Sequence, residues 1–173
     1  MKIFINPGHG GNDPGAVSKN GLKESEVCAN ICNILANKLK VNGYSYQLYQ
    51  QKCSLFEVSK EENKSNATLF ISVHCNSAAN SSAEGVETWY FRNSILGYKI
   101  AQIMQKELTK NLGLKNRGVK SSDNLHVLKR TKATAILIEL AFISNEKEEK
   151  MLKEKPELFA NAIWEGIKII KEL

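Results

Sequence analysis

The 173-residue sequence has few histidines, few prolines and no long apolar run. No stretch approaches the twenty apolar residues that a membrane-crossing helix needs, which excludes a helical span. The amino-terminal MKIFINPGHG is too short and too rich in glycine to read as a secretory signal. Four cysteines are present, Cys28, Cys32, Cys53 and Cys75, with no CxxC pair among them. Cys28 and Cys32 fall one helical turn apart, a spacing that suits two small buried side chains better than an unstrained disulfide. All four are therefore expected to be free thiols. The glycine-rich opening INPGHGGNDPGA (5–16) lacks GxGxxG spacing and is not followed by GK[ST], so it is not a nucleotide-phosphate cradle. Only three histidines occur: His9, His74 and His126.

What is present describes an ordinary globular chain. Hydrophobic residues make up 42% and charged residues 24%, enough for one domain with a substantial core. Lys and Arg outnumber Asp and Glu by 24 to 18, giving a net charge of +6. Such a balance favours anionic partners, whether nucleic acid, acidic lipid or an anionic polymer. The basic residues are scattered along the chain, with no cluster denser than KELTKNLGLKNRGVK (106–120), and the simplest reading is a solvated surface.

Hydrophobic patterning predicts alternating strands and helices. KIFIN (2–6) reads as a strand, followed by a loop to about 20 and a helix over 21–41. A strand is expected within 42–50 and a polar helix within 53–67. ATLFISVHCN (67–76) is a continuous apolar run of the buried-strand type, and GVETWYF (85–91) is another strand. Helical spacing returns over 94–112. A loop containing RGVK follows, then strand-like LHVL (125–128) and AILIEL (135–140). Helices over 146–153 and 156–172 close the chain, the second with Pro156 placed for a helix start. This order implies a single α/β domain over 1–173: a mixed, mostly parallel twisted sheet covered by helices on both faces.

His9 and His74 each fall at the carboxyl end of an expected strand, where open α/β sheets gather ligands. Either alone would be weak evidence. Two acids change the balance. Glu24 lies in the first turn of the first helix, facing back toward the glycine loop. Glu139 interrupts TAILIELAFI, where a carboxylate is costly unless it is paired or functional. It could face a sheet edge or neutralise a buried cation, but a role in chemistry suits it better. Two histidines and one carboxylate make a catalytic zinc set that leaves a position for water, and the second carboxylate is then free to act as general base. Such a constellation is complete for hydrolysis of an amide.

The chain resembles the zinc-dependent N-acetylmuramoyl-L-alanine amidases of the Amidase_3 type, found among autolysins, spore-wall hydrolases and phage endolysins. The likeness rests on INPGHGGNDPGA, GLKE (21–24), LFISVHCN (69–76), GVETWYF, RGVK (117–120) and LHVLKRTKATAILIELAFISN (125–145), in that order over essentially the whole chain. It implies zinc ligation by His9, Glu24 and His74, with Glu139 as catalytic base. The substrate implied is the bond between N-acetylmuramic acid and L-alanine in peptidoglycan. The expected enzyme is a monomer with one zinc, no nucleic-acid partner and no membrane span, acting on the wall outside the cytoplasm. With no visible signal, it would be released by lysis, in the manner of a phage lysin or spore hydrolase, or be a domain of a longer secreted protein. A zinc peptidase of carboxypeptidase-like architecture and a non-catalytic basic wall-binding module are the alternatives. Surplus positive charge suits a wall that bears anionic polymers.

Three departures from the family pattern stand out. The usual arginines are missing from YQQKCSLFEVSKEENKSNATLF, Thr134 replaces a proline and Ala141 replaces a glycine. None removes a ligand or the base. Asn76 and Arg117 are weaker candidates for substrate contact, Arg117 being as well suited to a surface ion pair. His126 is expected to be structural, Cys75 to face away from His74, and the Trp89, Tyr90 and Phe91 cluster to belong to the core.

Overall fold

The computed structural model describes residues 1–173. Its strands are β1 (Lys2–Pro7), β2 (Ser45–Leu48), β3 (Leu69–Asn76), β4 (Val86–Phe91), β5 (Asn116–Ser122) and β6 (Thr134–Phe142). The helices are α1 (Glu24–Val41), α2 (Leu55–Ser65), α3 (Ile95–Leu112), α4 (His126–Arg130), α5 (Glu146–Glu154) and α6 (Pro156–Ile170). The strands form one sheet in the order β2-β1-β3-β6-β4-β5. β2, β1, β3 and β6 run parallel, β4 lies antiparallel to β6, and β5 is parallel to β4. This is the mixed, mostly parallel α/β architecture that the patterning implied.

Alternation within the strands divides the core unequally. Ile3 and Ile5, Ile71 and Val73, and Ile136 and Ile138 face the layer of α1, α3 and α6, where most of the buried apolar residues lie. Phe4, Phe70, Ala135 and Leu137 face the other way and meet Val58 of α2 and Val127 and Leu128 of α4 in a much smaller cluster. On that second face the same alternation places Ser72 and His74 beyond Phe70, and Glu139 beyond Leu137. Two short helices thus cover only part of this face, and polar side chains occupy the rest.

Two expectations are corrected. LHVL is not a strand: Leu125 precedes α4, which places the consecutive Val127 and Leu128 both in the small core. Four residues were too few to separate a helical turn from a strand. The RGVK loop instead belongs to β5, a half-exposed edge strand with mixed polarity and Gly118 at φ +82°, so it shows no apolar alternation.

Candidate metal centre

β1 ends in a turn pinned to β3 by the Gly8 N–H donating to the Val73 carbonyl at 2.8 Å. The next residue, His9, takes φ 59°, a left-handed conformation uncommon outside glycine and concentrated at functional sites. Glu24 enters from α1 and is 4% exposed. His74 arrives on β3. Glu24 lies between the two imidazoles, with Oε1 2.9 Å from His74 Nδ1 and Oε2 3.2 Å from His9 Nε2. The same carboxylate accepts the Cys75 N–H at 3.0 Å and the Ala16 N–H at 2.9 Å. Three side chains separated by up to 65 positions therefore offer ligand atoms all within 4.8 Å of one another.

The glycines explain how this is possible. A Cβ on Gly8 would stand 2.5 Å from the His74 ring, and one on Gly15 would stand 2.6 Å from the His9 ring and 2.7 Å from Glu24 Oε2. The loop leaves room for imidazoles and nothing more. Asp13 holds His9 from behind: its Oδ2 lies 2.8 Å from His9 Nδ1 and accepts from Gln51 at 3.0 Å, while Oδ1 accepts the Gly15 N–H at 3.0 Å. Sequence reasoning missed Asp13, although an acid four residues after His9 in a glycine loop was available as a signal. The hydrogen bond to Glu24 raises His9 to about 9, against the opposing effect of burial, with Asp13 adding to the rise. Burial works against Glu24 ionising, yet His74 and His9 together hold its carboxyl well below the usual range. His9 in turn depresses Asp13.

These features suit a divalent ion. A carboxylate kept ionised between two imidazole nitrogens, in a cradle that a single methyl would fill, is the donor chemistry of a catalytic zinc site. The carboxylate behind one imidazole fixes which ring nitrogen faces the site.

Glu139 stands opposite His74 in the β3–β6 register and opposite Glu87 in the β4–β6 register. Its Oε2 is buried with no hydrogen-bond partner. Burial, with Glu24 and Glu87 nearby, raises its carboxyl to about 8. An orphaned buried oxygen is costly in a finished core, and its place beside the ligand-type cluster makes Glu139 a candidate for chemistry.

Glu87, 3% exposed, is the second residue that the sequence reading passed over, though a carboxylate inside GVETWYF carried the same signal as Glu139. It accepts from Arg117 Nε at 2.7 Å, Lys120 Nζ at 2.6 Å, Trp89 Nε1 at 3.0 Å and Asn76 Nδ2 at 3.2 Å. Burial opposes its ionisation, but Lys120 and Arg117 keep its carboxyl below the ordinary value. Arg117 forms an ion pair, as weighed, but with a buried acid, and its guanidinium lies 4.8 Å from the Phe142 ring centroid. Asn76 is engaged at both ends, its Oδ1 accepting the Ser77 N–H at 2.9 Å. His126 lies outside the cluster, in a separate groove, and is bonded to Ser59. Cys75 is buried on the α1 side of the sheet, away from His74, and all four cysteines are free.

Comparison with known proteins identifies the family. A family model, Amidase_3, described as N-acetylmuramoyl-L-alanine amidase, matches residues 3–169. N-acetylmuramoyl-L-alanine amidase LytC of Bacillus subtilis is 35% identical over 171 residues, covering 95% of this chain and 34% of LytC. The probable cell wall amidase LytH of Staphylococcus aureus is 30% identical, covering 96% of this chain and 57% of LytH. The chain thus spans about a third of the one relative and little over half of the other. Among solved structures, an N-acetylmuramoyl-L-alanine amidase from Clostridium difficile 630 superposes with a TM-score of 0.91 at 30% identity, covering 99% of this chain and 96% of that one. AmiC2 of Nostoc punctiforme superposes with a TM-score of 0.92 at 28% identity, covering 100% and 98%. With the match running from the first strand into the last helix, this chain belongs to the N-acetylmuramoyl-L-alanine amidase family, Amidase_3.

Proposed function

We propose that residues 1–173 are a single monomeric catalytic domain that hydrolyses the amide between N-acetylmuramic acid and the L-alanine of the peptidoglycan stem, outside the cytoplasm. His9, Glu24 and His74 would hold one zinc ion, and Glu139 would be the general base. The observation that carries this reading is the pairing of a two-histidine, one-glutamate cluster with a carboxylate one strand away whose Oε2 is buried and unpartnered. When bound, the metal supplies Lewis acidity, which acidifies water and polarises a carbonyl. The remaining chemistry belongs to the chain. Glu139 takes a proton from the attacking water and returns it to the departing alanine nitrogen. Asp13 keeps His9 turned toward the cluster. Glu87 holds Arg117 and Lys120 beside the base, and the outward side of Arg117 is available to a stem-peptide carboxylate.

Mass spectrometry of purified muropeptides tests this. Incubation should release intact stem peptides beginning with L-alanine, and a chelator should abolish release. Single amino acids freed from peptides lacking muramic acid would point to a peptidase instead. Glu139→Ala should keep its zinc and lose hydrolysis by about two to four orders of magnitude. Full activity in that variant would remove Glu139 from the mechanism.

A further inference from the structure

A groove lined by unpaired positive charge lies away from the metal centre. α2 and α4 cover part of the sheet face that carries His74 and Glu139. Between these helices and the turn into β6 runs an open groove of about 790 Å³. Lys60, Lys64, Arg130 and Lys132 line it, with the Phe56 ring, and no carboxylate does. Lys64 is paired with Glu61 at 3.0 Å, whereas Lys60, Arg130 and Lys132 have no acid within ion-pair distance.

The acid best placed to neutralise them has been withdrawn. Glu62, 1% exposed, turns inward and accepts the Lys132 and Ala133 N–H groups at 2.9 and 3.1 Å. Asn63 makes a second clamp, accepting the Lys132 N–H at 2.8 Å and donating to the Arg130 carbonyl at 2.9 Å. A third tie comes from Ser59. Its hydroxyl donates to the Phe56 carbonyl at 3.0 Å and so accepts from His126 Nε2 at 3.1 Å. The backbone beneath the cations is therefore fixed to α2. Like charges held together on such a frame, in a concave surface, focus a field that draws in a polyanion.

We propose that this groove binds a linear phosphodiester polymer of the cell wall, lodging the enzyme beside its substrate; the choice of polymer rests on the wall-amidase reading. Three uncompensated cations spaced along a groove suit a chain with one charge per repeat. Phe56, 66% exposed, offers apolar surface to the carbon segments between phosphates. A single exposed ring is a poor stacking platform for successive bases, which argues against nucleic acid. The groove opens on the same side of the sheet as Glu139, so one wall fragment can engage both.

Titration calorimetry on the zinc-loaded full chain tests the proposal, with poly(glycerol phosphate) as the probe. An oligonucleotide and poly-L-glutamate of equal charge number serve as competitors. Poly(glycerol phosphate) should bind most tightly. Replacing Lys60, Arg130 and Lys132 together by alanine should weaken binding at least about tenfold and flatten the salt dependence by about two to three charges. A control triple, Lys40→Ala, Lys99→Ala and Lys106→Ala, removes equal charge from α1 and α3 and should change affinity less than about twofold. Hydrolysis of a soluble muropeptide should be the same in the groove triple and the parent. Equal loss in both triples, or equal or tighter binding of either competitor, would overturn the groove. Failure of the parent to hydrolyse muropeptides would overturn the amidase reading while leaving the binding comparison to stand or fall by itself.

Discussion

Glu87 and Glu139 face each other across β4 and β6, yet their surroundings drive them in opposite directions. Glu87 is ringed by four donors and held ionised, whereas Glu139 has an oxygen with none and is raised to about 8. Two carboxylates in adjoining positions thus differ, one saturated with hydrogen bonds and one left with an unpartnered oxygen.

The raised value at Glu139 makes a stability prediction with a definite sign. Folding holds the proton on this carboxyl up to about 8, against 4.5 when unfolded. Through that window the unfolded chain ionises and the folded chain does not, so stability falls as pH rises and the cost is complete above it. Glu139→Gln removes the cost. In zinc-stripped protein the variant should match the parent below pH 4.5 and exceed it increasingly toward pH 9, by on the order of a few kcal/mol. Urea denaturation at pH 4.5 and pH 9 measures the difference, and a constant gap would mean that burial does not perturb this acid.

Asp13 should matter for metal affinity more than for folding. It is exposed, so its loss removes little packing, but it fixes the His9 ring through Nδ1. Asp13→Ala should weaken zinc binding about 10- to 100-fold, with a melting temperature close to the parent's. Competition with a chromogenic chelator provides the affinity.

The cluster of His9, Glu24 and His74 was legible because His9 stands among glycines and His74 ends an apolar strand, and Glu139 stood out as a carboxylate inside another apolar strand. Asp13 was not legible, because acids are ordinary in loops, and only the fold shows that its carboxylate meets the far side of His9. Glu87 shared the signal of Glu139, but GVETWYF is short and aromatic enough to read as an edge strand, where an acid is unremarkable. The groove was illegible for a different reason. Lys60 and Arg130 are seventy positions apart, so charges that look scattered along the chain are gathered only when α4 docks on α2. Strand order within the sheet was beyond pattern reading too, since β6 inserts between β3 and β4 through contacts that no local period records.

Gly15 and Gly21 separate steric from backbone effects. Both have positive φ, 66° and 82°, but a Cβ at Gly15 would strike His9 and Glu24, while one at Gly21 meets nothing within 4 Å. Each substitution by alanine should cost about 1 kcal/mol of backbone strain. Only Gly15→Ala should also displace the cluster, lowering zinc affinity by at least about tenfold, by analogy with loss of a supporting contact. Paired calorimetric titrations with zinc would show this, and equal affinities would mean that the loop yields without disturbing its ligands.

Glu87 sets the last expectation, because one carboxylate satisfies four donors. Glu87→Ala leaves Arg117 and Lys120 beside each other with no counterion between them, and strands the Trp89 N–H and the Asn76 amide. Because both cations are about one-third exposed and can turn to water, the cost should be about 2–3 kcal/mol rather than that of a fully buried pair. Removing one cation should cost less. In Arg117→Ala the carboxylate keeps Lys120, Trp89 and Asn76, so about 1–2 kcal/mol is expected, part of it from the lost contact with Phe142. The double variant Glu87→Ala, Arg117→Ala should then be less destabilised than the sum, since removing the arginine relieves the repulsion that removing the glutamate creates. A double-mutant cycle from urea denaturation measures that coupling, and strict additivity would show that Glu87 and Arg117 do not act as a unit. Because none of these side chains belongs to the His9, Glu24 and His74 cluster, zinc affinity should match the parent's in every variant that folds.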